Sequence, residues 1–243
     1  MLRRLFGLAV FAAGAVASYR LVIEPWWRSW GADPDEAVRA LPGDDVVPDG
    51  VTAETRGITI DAPPAAVWPW LVQMGYGRAG WYSYDRIDMR GASADRIVPE
   101  LQSLSVGDIM PTHPAGGFLV KAIEPERALV LFTDTDTVRD QASAAAEADP
   151  TPANVKLAGA FMEGAQPTDF AVSWAFVLEP LPDGRTRLIE RTRVRFGEAD
   201  KPWMRITMPM MGFGVFVMMR RQLIGIRDRA ERSPMPAPQG MAA

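Results

Sequence analysis

One glutamate on the apolar face of a strand is the first residue of this chain that could do chemistry. Residues 185–196 alternate strictly, and Glu190 shares its face with Thr186, Leu188, Thr192, Val194 and Phe196. Such alternation indicates a strand with one buried and one solvated side. A buried carboxylate must be paired or must have a raised pKa, and such groups gather at functional sites. Glu190 is therefore a candidate acid or base; the simpler alternative is a carboxylate paired with an arginine at a cavity rim.

The other face of the same strand carries a row of basic side chains: Arg185, Arg187, Arg191, Arg193 and Arg195. We interpret this row most simply as a solvated outer face of the sheet. An anionic partner surface or lipid headgroups are the alternative.

His113 and a pair of aspartates are the remaining candidates for chemistry. His113 stands between Thr112 and Pro114 at a predicted strand end, where it is either a base or a rim residue. Asp85 and Asp88 are three positions apart on a predicted helix and could face the same way. With one histidine and no cysteine in the chain, the sequence predicts no metal site.

Composition excludes several classes of protein. The net charge of −4 and the scattered arginines argue against a nucleic-acid partner, because duplex binders need a basic footprint. The absence of cysteine excludes disulfides and thiolate nucleophiles. No glycine-rich phosphate loop is present, and we predict no cofactor.

The segment from Gly57 to Asp85 gives the clearest indication of fold. A short alternating strand is followed by Asp61 at an N-cap position and by prolines in the first turn of a helix. An apolar helical stripe continues this pattern, at Val67, Trp70, Leu71 and Met74. Gly75 closes the helix, and the aromatic residues Trp81, Tyr82 and Tyr84 follow.

This strand, proline-opened helix and aromatic cluster resemble the START-related lipid-binding superfamily, also called SRPBCC proteins, over roughly residues 54–232. The resemblance implies an α+β helix-grip fold, with a curved antiparallel sheet wrapped around a long C-terminal helix and a hydrophobic cavity between them. It also implies that some aromatic residues line the cavity. The predicted ligand-binding residues are Trp70, Trp81, Tyr82, Tyr84, Phe118, Trp174, Phe176, Glu190, Met211 and Phe213.

The N-terminal segment, residues 1–30, predicts a membrane anchor. An apolar run begins at Leu5, and extending it to Ile23 gives about 28 Å of helix against a hydrocarbon core of roughly 30 Å. Trp26, Trp27 and Trp30 would then form an aromatic belt at the interface. A cleaved signal peptide, and a hydrophobic helix docked on the domain, are the alternatives.

The rest of the chain divides into a linker, a domain and a tail. Residues 31–53 predict a short helix, with a capping box of Asp33 and Glu36, followed by a linker. Residues 54–232 form the ligand-binding domain, with later strands at 106–112, 117–124, 127–133, 168–179 and 185–196. The segment 134–168 lacks a strand pattern and predicts a long mobile connection. A hydrophobic helix covers 203–231, and residues 233–243 have the composition of a disordered tail.

These observations lead to a hypothesis and two alternatives. We expect a membrane-tethered module that binds a hydrophobic small molecule or lipid in an internal cavity, without catalysis. It would be held at the cell membrane by a single-pass N-terminal anchor, and we favour an extracytoplasmic domain. The alternatives are an enzyme resembling the polyketide cyclases and dehydratases of this fold, using cavity residues for acid–base chemistry, and a protein-interaction module at a membrane complex.

Overall fold

The protein is built on one curved antiparallel sheet, with a long helix near the carboxyl end of the chain. The structure is a computed structural model. It describes residues 11, 14–48, 52–88, 91–114, 116–149, 169–197 and 204–232, with the side chains of 52, 88 and 204–211 left out. The predicted tail, 233–243, lies outside the described residues.

The sheet has six strands in the order β1-β6-β5-β4-β3-β2. Their bounds are β1 Thr52–Ile60, β2 Ile109–His113, β3 Gly116–Glu124, β4 Ala128–Asp134, β5 Phe170–Pro180 and β6 Thr186–Phe196. The two late strands pair as predicted, and Glu190 of β6 lies opposite Phe176 of β5 and Arg56 of β1. Leu188 and Glu190 are fully buried on the concave side, so the predicted direction of this strand's faces is confirmed.

Six helices accompany the sheet in the described part of the chain. They are α1 Glu24–Arg28, which follows a π-helical turn at Tyr19–Ile23, α2 Pro34–Val38, α3 Pro64–Val72, α4 Asp85–Asp88, α5 Thr135–Ala148 and α6 Met204–Ala230. The predicted α+β class with a long C-terminal helix is confirmed at this level.

Helix α5 corrects the prediction of an irregular connection after β4. Asp134 caps it by accepting a hydrogen bond of 2.8 Å from the amide of Thr137. Its alanine-rich sequence favours a helix, and the amide of Gly117 on β3 donates to Gln141 Oε1 at 2.8 Å. Residues 151–168 of the same predicted connection lie outside the described residues.

Helix α6 lies close to the loop that follows α3, where the side chains of Leu223 and Ile226 are fully buried. A Cβ atom added at Gly225 would lie 2.1 Å from the carbonyl oxygen of Tyr82. The close approach of helix and loop therefore requires glycine at this position. Ser83 strengthens the same contact by donating a hydrogen bond of 2.9 Å to the carbonyl of Met218.

The N-terminal segment does not carry the predicted membrane span. Within the described ranges, no helix is both long enough and apolar enough to cross a bilayer; residues 1–10, 12 and 13 of the predicted span lie outside those ranges. On this finding the single-pass anchor and the localisation at the cell membrane are wrong. The tryptophans have another role: Trp26, Trp27 and Trp30 all make ring contacts with Phe216 of α6. Trp27 is only 1% exposed, so it contributes to protein packing.

Residues 31–48, predicted as helix and linker, cover the convex face of the sheet. The predicted capping box is present, and the amide of Asp33 donates to Glu36 Oε2 at 2.7 Å. Leu41 packs against Val177 and Ile189 on the outer face. Gly43, at φ +89°, lies against Val130, where a side chain would collide. We name residues 31–48 the outer segment.

The outer segment also changes the interpretation of the arginine row. Arg187 forms a bidentate pair with Glu36, both bonds 2.7 Å long. Arg191 is buried and donates to Asp44 Oδ2 at 2.6 Å. Arg193 donates to the carbonyl of Val47 at 3.0 Å. The prediction of a solvated outer face is therefore wrong for these arginines, because the chain's own acidic and carbonyl groups cover them.

We expect Gly225→Ala to destabilise the protein, because its new methyl group would collide with backbone. Gly214, on the same helix, has nothing within 4 Å of an added Cβ. Gly214→Ala is the matched control and should stabilise by up to about 1 kcal/mol, the usual helix preference for alanine over glycine. Urea denaturation of both variants measures this. Equal stability of the two would contradict the close approach.

We also expect the Glu36–Arg187 pair to make stability depend on acidity. Burial pushes the pKa of the Glu36 carboxyl upward, but hydrogen bonds from Arg187 and the Asp33 amide hold it below its ordinary value of 4.5. The contribution is therefore complete above pH 4.5 and is lost as the pH falls through the folded-state pKa. Glu36→Gln should cost about 1.5–3 kcal/mol at neutral pH and much less in acid.

The exposed Glu147 supplies the control for this measurement. Denaturant titrations of Glu36→Gln and Glu147→Gln across pH 3–7 separate a specific pair from general charge effects. A stability difference between wild type and Glu36→Gln that stays constant over this range would refute the assignment.

Candidate functional site

A cavity of about 440 Å³ lies between the sheet, α6 and the loop that follows α3. Aromatic side chains form one part of its wall: Trp81, Phe118 and Trp174. Aliphatic and methionine side chains form another: Ile87, Val172, Val215, Met218 and Met219. Four polar but uncharged side chains complete it: Ser83, Thr112, Thr192 and Gln222. The volume is within the range of about 300–1,000 Å³ that is usual for small-molecule sites.

The aromatic wall is a cluster centred on Trp174 of β5. Trp81 stacks on Trp174 with ring centroids 5.4 Å apart, and Phe118 of β3 meets it edge-on at the same distance. Phe176 lies behind it at 5.0 Å. These contacts hold the Trp174 ring in one orientation, with its indole N–H directed away from the stacking partner.

That indole N–H binds the glutamate that the sequence singled out. Trp174 Nε1 donates to Glu190 Oε1 at 2.7 Å, and both side chains are buried. Glu190 is not part of the cavity wall; it lies in the next row across the sheet, opposite Phe176, whereas Trp174 lies opposite Thr192 of the wall. The predicted inward orientation of Glu190 is therefore right, but its buried carboxylate is bound to the indole and does not line the cavity.

A second carboxylate and a guanidinium lie beside Glu190. We name Glu54, Arg56 and Glu190 the ionic triad, in which Glu54 is partly exposed. Arg56 is fully buried, and its Nη2 donates to Glu54 Oε2 at 2.5 Å. Its Nη1 lies 3.9 Å from Glu190 Oε2. The same Nη1 lies 3.1 Å from the sulfur of Met219, and the guanidinium lies 5.5 Å from the Phe216 ring. The triad thus joins β1 and β6 to α6.

Glu54 and Arg56 are not among the predicted site residues, although the sequence carries a signal for them. In β1, Glu54 stands four positions and Arg56 two positions before Ile58, on the same face of the strand as Ile58 and Ile60. Extending the alternation by two more residues would have placed both charges inside. The arginine proposed as a partner for Glu190 is real, but it lies deep in the protein instead of at a rim.

Burial raises the pKa of the Glu190 carboxyl. Arg56 and the Trp174 N–H act in the opposite direction, and Glu54 adds to the rise. In the described structure, Glu190 Oε2 and Arg56 Nε have no hydrogen-bond partner. The pKa of Glu190 therefore lies above its ordinary value of 4.5, because burial and the nearby Glu54 outweigh the two opposing contacts.

Apart from Glu190, the predicted ligand-binding residues whose side chains the structure describes divide into three groups. Trp81, Phe118 and Trp174 line the cavity. Trp70, Tyr82 and Phe176 are buried in the core beside it, with Tyr82 donating its hydroxyl to the carbonyl of Trp70. Tyr84 and Phe213 are about two-fifths exposed and lie off the wall. The side chain of Met211 lies outside the described residues. Binding by any of these residues stays a prediction.

The other candidates for chemistry are not brought together. His113 ends β2 next to Thr112 of the wall without lining the cavity itself, and burial lowers the pKa of its imidazole. Asp85 accepts a hydrogen bond of 2.5 Å from Ser93, whose oxygen accepts from the amide of Tyr82. Asp85 thus supports the loop at the cavity. Across the described ranges, no three acidic or histidine side chains are grouped as metal ligands.

Comparison with known proteins adds little to this geometry. No family model matches the chain, and none of the curated proteins does. Among solved structures, a protein from Mesorhizobium loti is 17% identical, with a TM-score of 0.38, and covers 76% of this chain and all of its own. An uncharacterized protein from Rhizobium leguminosarum is 15% identical, with a TM-score of 0.31 and the same coverage.

We expect the wild type to lose stability as pH rises because Glu190 ionises, and we expect Glu190→Gln to abolish this loss. Since the pKa of Glu190 is raised in the folded state, its contribution is complete below pH 4.5 and is lost as pH rises through the folded-state pKa. Glutamine keeps an oxygen for the Trp174 N–H but cannot ionise. The variant should therefore gain stability relative to wild type as the pH rises above 4.5.

Denaturant titration at several pH values measures this gain, with the exposed Glu100→Gln as the control. The assignment fails if the difference between wild type and Glu190→Gln does not change with pH.

Proposed function

We propose that this protein binds an apolar small molecule or lipid in the cavity between its sheet and α6, and that it holds the ligand without transforming it. The observation that carries the proposal is the cavity itself, at about 440 Å³ with an aromatic and aliphatic wall. Apolar lining with a few placed polar groups is the usual composition of a small-molecule site.

The order of elements supports a finer description of the fold, as a helix-grip domain of the START-related type. Strand β1, helix α3 and a loop precede five further antiparallel strands, and the long α6 is the last element that the structure describes. The Gly57–Asp85 segment that carries the resemblance spans β1, α3 and the loop. It delivers Trp81 to the cavity wall.

An acid–base enzyme is the second candidate, because one observation favours it. Glu190 is a buried carboxyl with a raised pKa close to a cavity, and catalytic acids are often made in this way. Its position argues for binding instead. The Glu190 side chain is fully buried and does not line the cavity, and its Oε1 already accepts a hydrogen bond from the Trp174 indole.

We expect Val215→Trp to weaken ligand binding at least tenfold, because an indole there would enter the cavity. Val215 lines the cavity and is 40% exposed; Val217, two residues on, is 37% exposed and lies off the wall. Val217→Trp is therefore a control of matched helix, residue type and exposure. Titration with the neutral fluorophore N-phenyl-1-naphthylamine measures affinity in both variants and wild type.

Mass spectrometry of an organic extract of the purified protein adds a direct test for bound lipid. Absence of saturable fluorophore binding and of extracted ligand would overturn the proposal, and so would equal affinity of the two tryptophan variants. Loss of a turnover activity in Glu190→Gln, with binding intact, would favour the enzyme.

A further inference from the structure

The polar side chains of the cavity wall limit what kind of headgroup the cavity accepts. Thr192 of β6 is on the cavity wall and is only 4% exposed, and its hydroxyl makes none of the side-chain hydrogen bonds that the structure describes. The hydroxyl is therefore available to a polar group inside the cavity. Thr192 can both donate to a ligand and accept from it.

Gln222 of α6 provides a second buried polar group with spare capacity. It is 3% exposed and lines the cavity, and its amide nitrogen makes a weak bond of 3.4 Å to the sulfur of Met74. Sulfur is a poor acceptor, and the carboxamide oxygen stays available. Helix and sheet thus each present one neutral hydrogen-bonding side chain to the same space.

Charge around the cavity disfavours an anion. Every wall side chain that the structure describes is uncharged. Thr192 lies directly across from Glu54 in the sheet, and the next row holds Arg56 and Glu190. Neighbours at these positions are about 5 Å apart. Arg56 is already shared by the two glutamates, so it has no charge to spare for a carboxylate ligand.

Binding of a cationic ligand is also disfavoured, for a different reason. Glu190 Oε2, a buried carboxylate oxygen without a hydrogen-bond partner in the described structure, does not line the cavity and lies 3.9 Å from Arg56 Nη1. An ammonium group in the cavity would lose its hydration and find only hydroxyl, amide and aromatic groups on the wall. Desolvation therefore selects against either sign of charge.

Resting on the proposed function, we infer that the cavity selects an uncharged amphiphile whose polar end is a hydroxyl group bound by Thr192, and that it rejects a carboxylate of the same chain length. Gln222 supplies the second hydrogen bond. The apolar remainder of the ligand lies against the aromatic and methionine wall, where Met218 and Met219 can adapt to its shape.

Displacement of bound N-phenyl-1-naphthylamine by decan-1-ol, decanoic acid and decylamine tests this inference on the full chain. At pH 8 we expect decanol to bind at least tenfold more tightly than decanoate or decylammonium. The affinity for decanoic acid should rise as pH falls toward the acid's own pKa, because its neutral form is the one accepted.

Two variants test whether the Thr192 hydroxyl binds the polar end of the ligand. Thr192→Val removes it at nearly constant volume and should weaken decanol binding about two- to tenfold relative to fluorophore binding. Thr133→Val is the matched control: Thr133 is also buried, its hydroxyl also lacks a partner in the described structure, and it lies off the cavity wall. It should leave both affinities unchanged.

The outcomes separate the inference from the function on which it rests. Decanoate or decylammonium binding as tightly as decanol would overturn the inference while leaving the cavity a binding site. An unchanged decanol affinity in Thr192→Val would overturn the role of Thr192. If no compound of the series displaces the fluorophore and the fluorophore itself does not bind saturably, the proposed function falls as well.

Discussion

The structure depends on the burial of one guanidinium. Arg56 has no exposed surface, so its charge must be compensated inside the protein. Glu54 and Glu190 compensate it across β1 and β6, while Met219 and Phe216 meet it from α6. The position of α6 over the sheet is therefore coupled to the burial of the Arg56 charge. Phe216 also contacts the N-terminal tryptophans, which pack around its ring.

A second set of charges organises the opposite face of the sheet. Arg187 and Arg191 extend outward from β6, and the outer segment brings Glu36 and Asp44 to them. Residue Glu36 has two roles, because it completes the capping box of α2 and also pairs with Arg187. Strand β6 therefore carries charged side chains on both faces. The charges on each face are paired with groups from a different part of the chain.

The cavity lies directly beside the ionic triad. Thr192 and Trp174 of its wall form one row across the sheet with Glu54, and the next row holds Arg56 and Glu190. Methionines of α6 complete this part of the wall. The indole of Trp174 serves both regions, since its ring faces the cavity and its N–H binds Glu190. A ligand site and a buried ionic layer thus share one side chain.

Local patterns in the sequence determined the strands, the faces of β6, the capping box at Asp33 and Glu36, and the long α6. Periodicity and capping depend on neighbours a few positions apart, so they can be read from the chain alone. Only the tertiary structure decided which groups pair with the charged side chains and where the N-terminal segment packs. Arg187 meets Glu36 from 151 positions away, and no local pattern encodes that distance. An apolar run with tryptophans is equally suited to a bilayer and to a protein surface; its packing on Phe216 became visible only once α6 was in place.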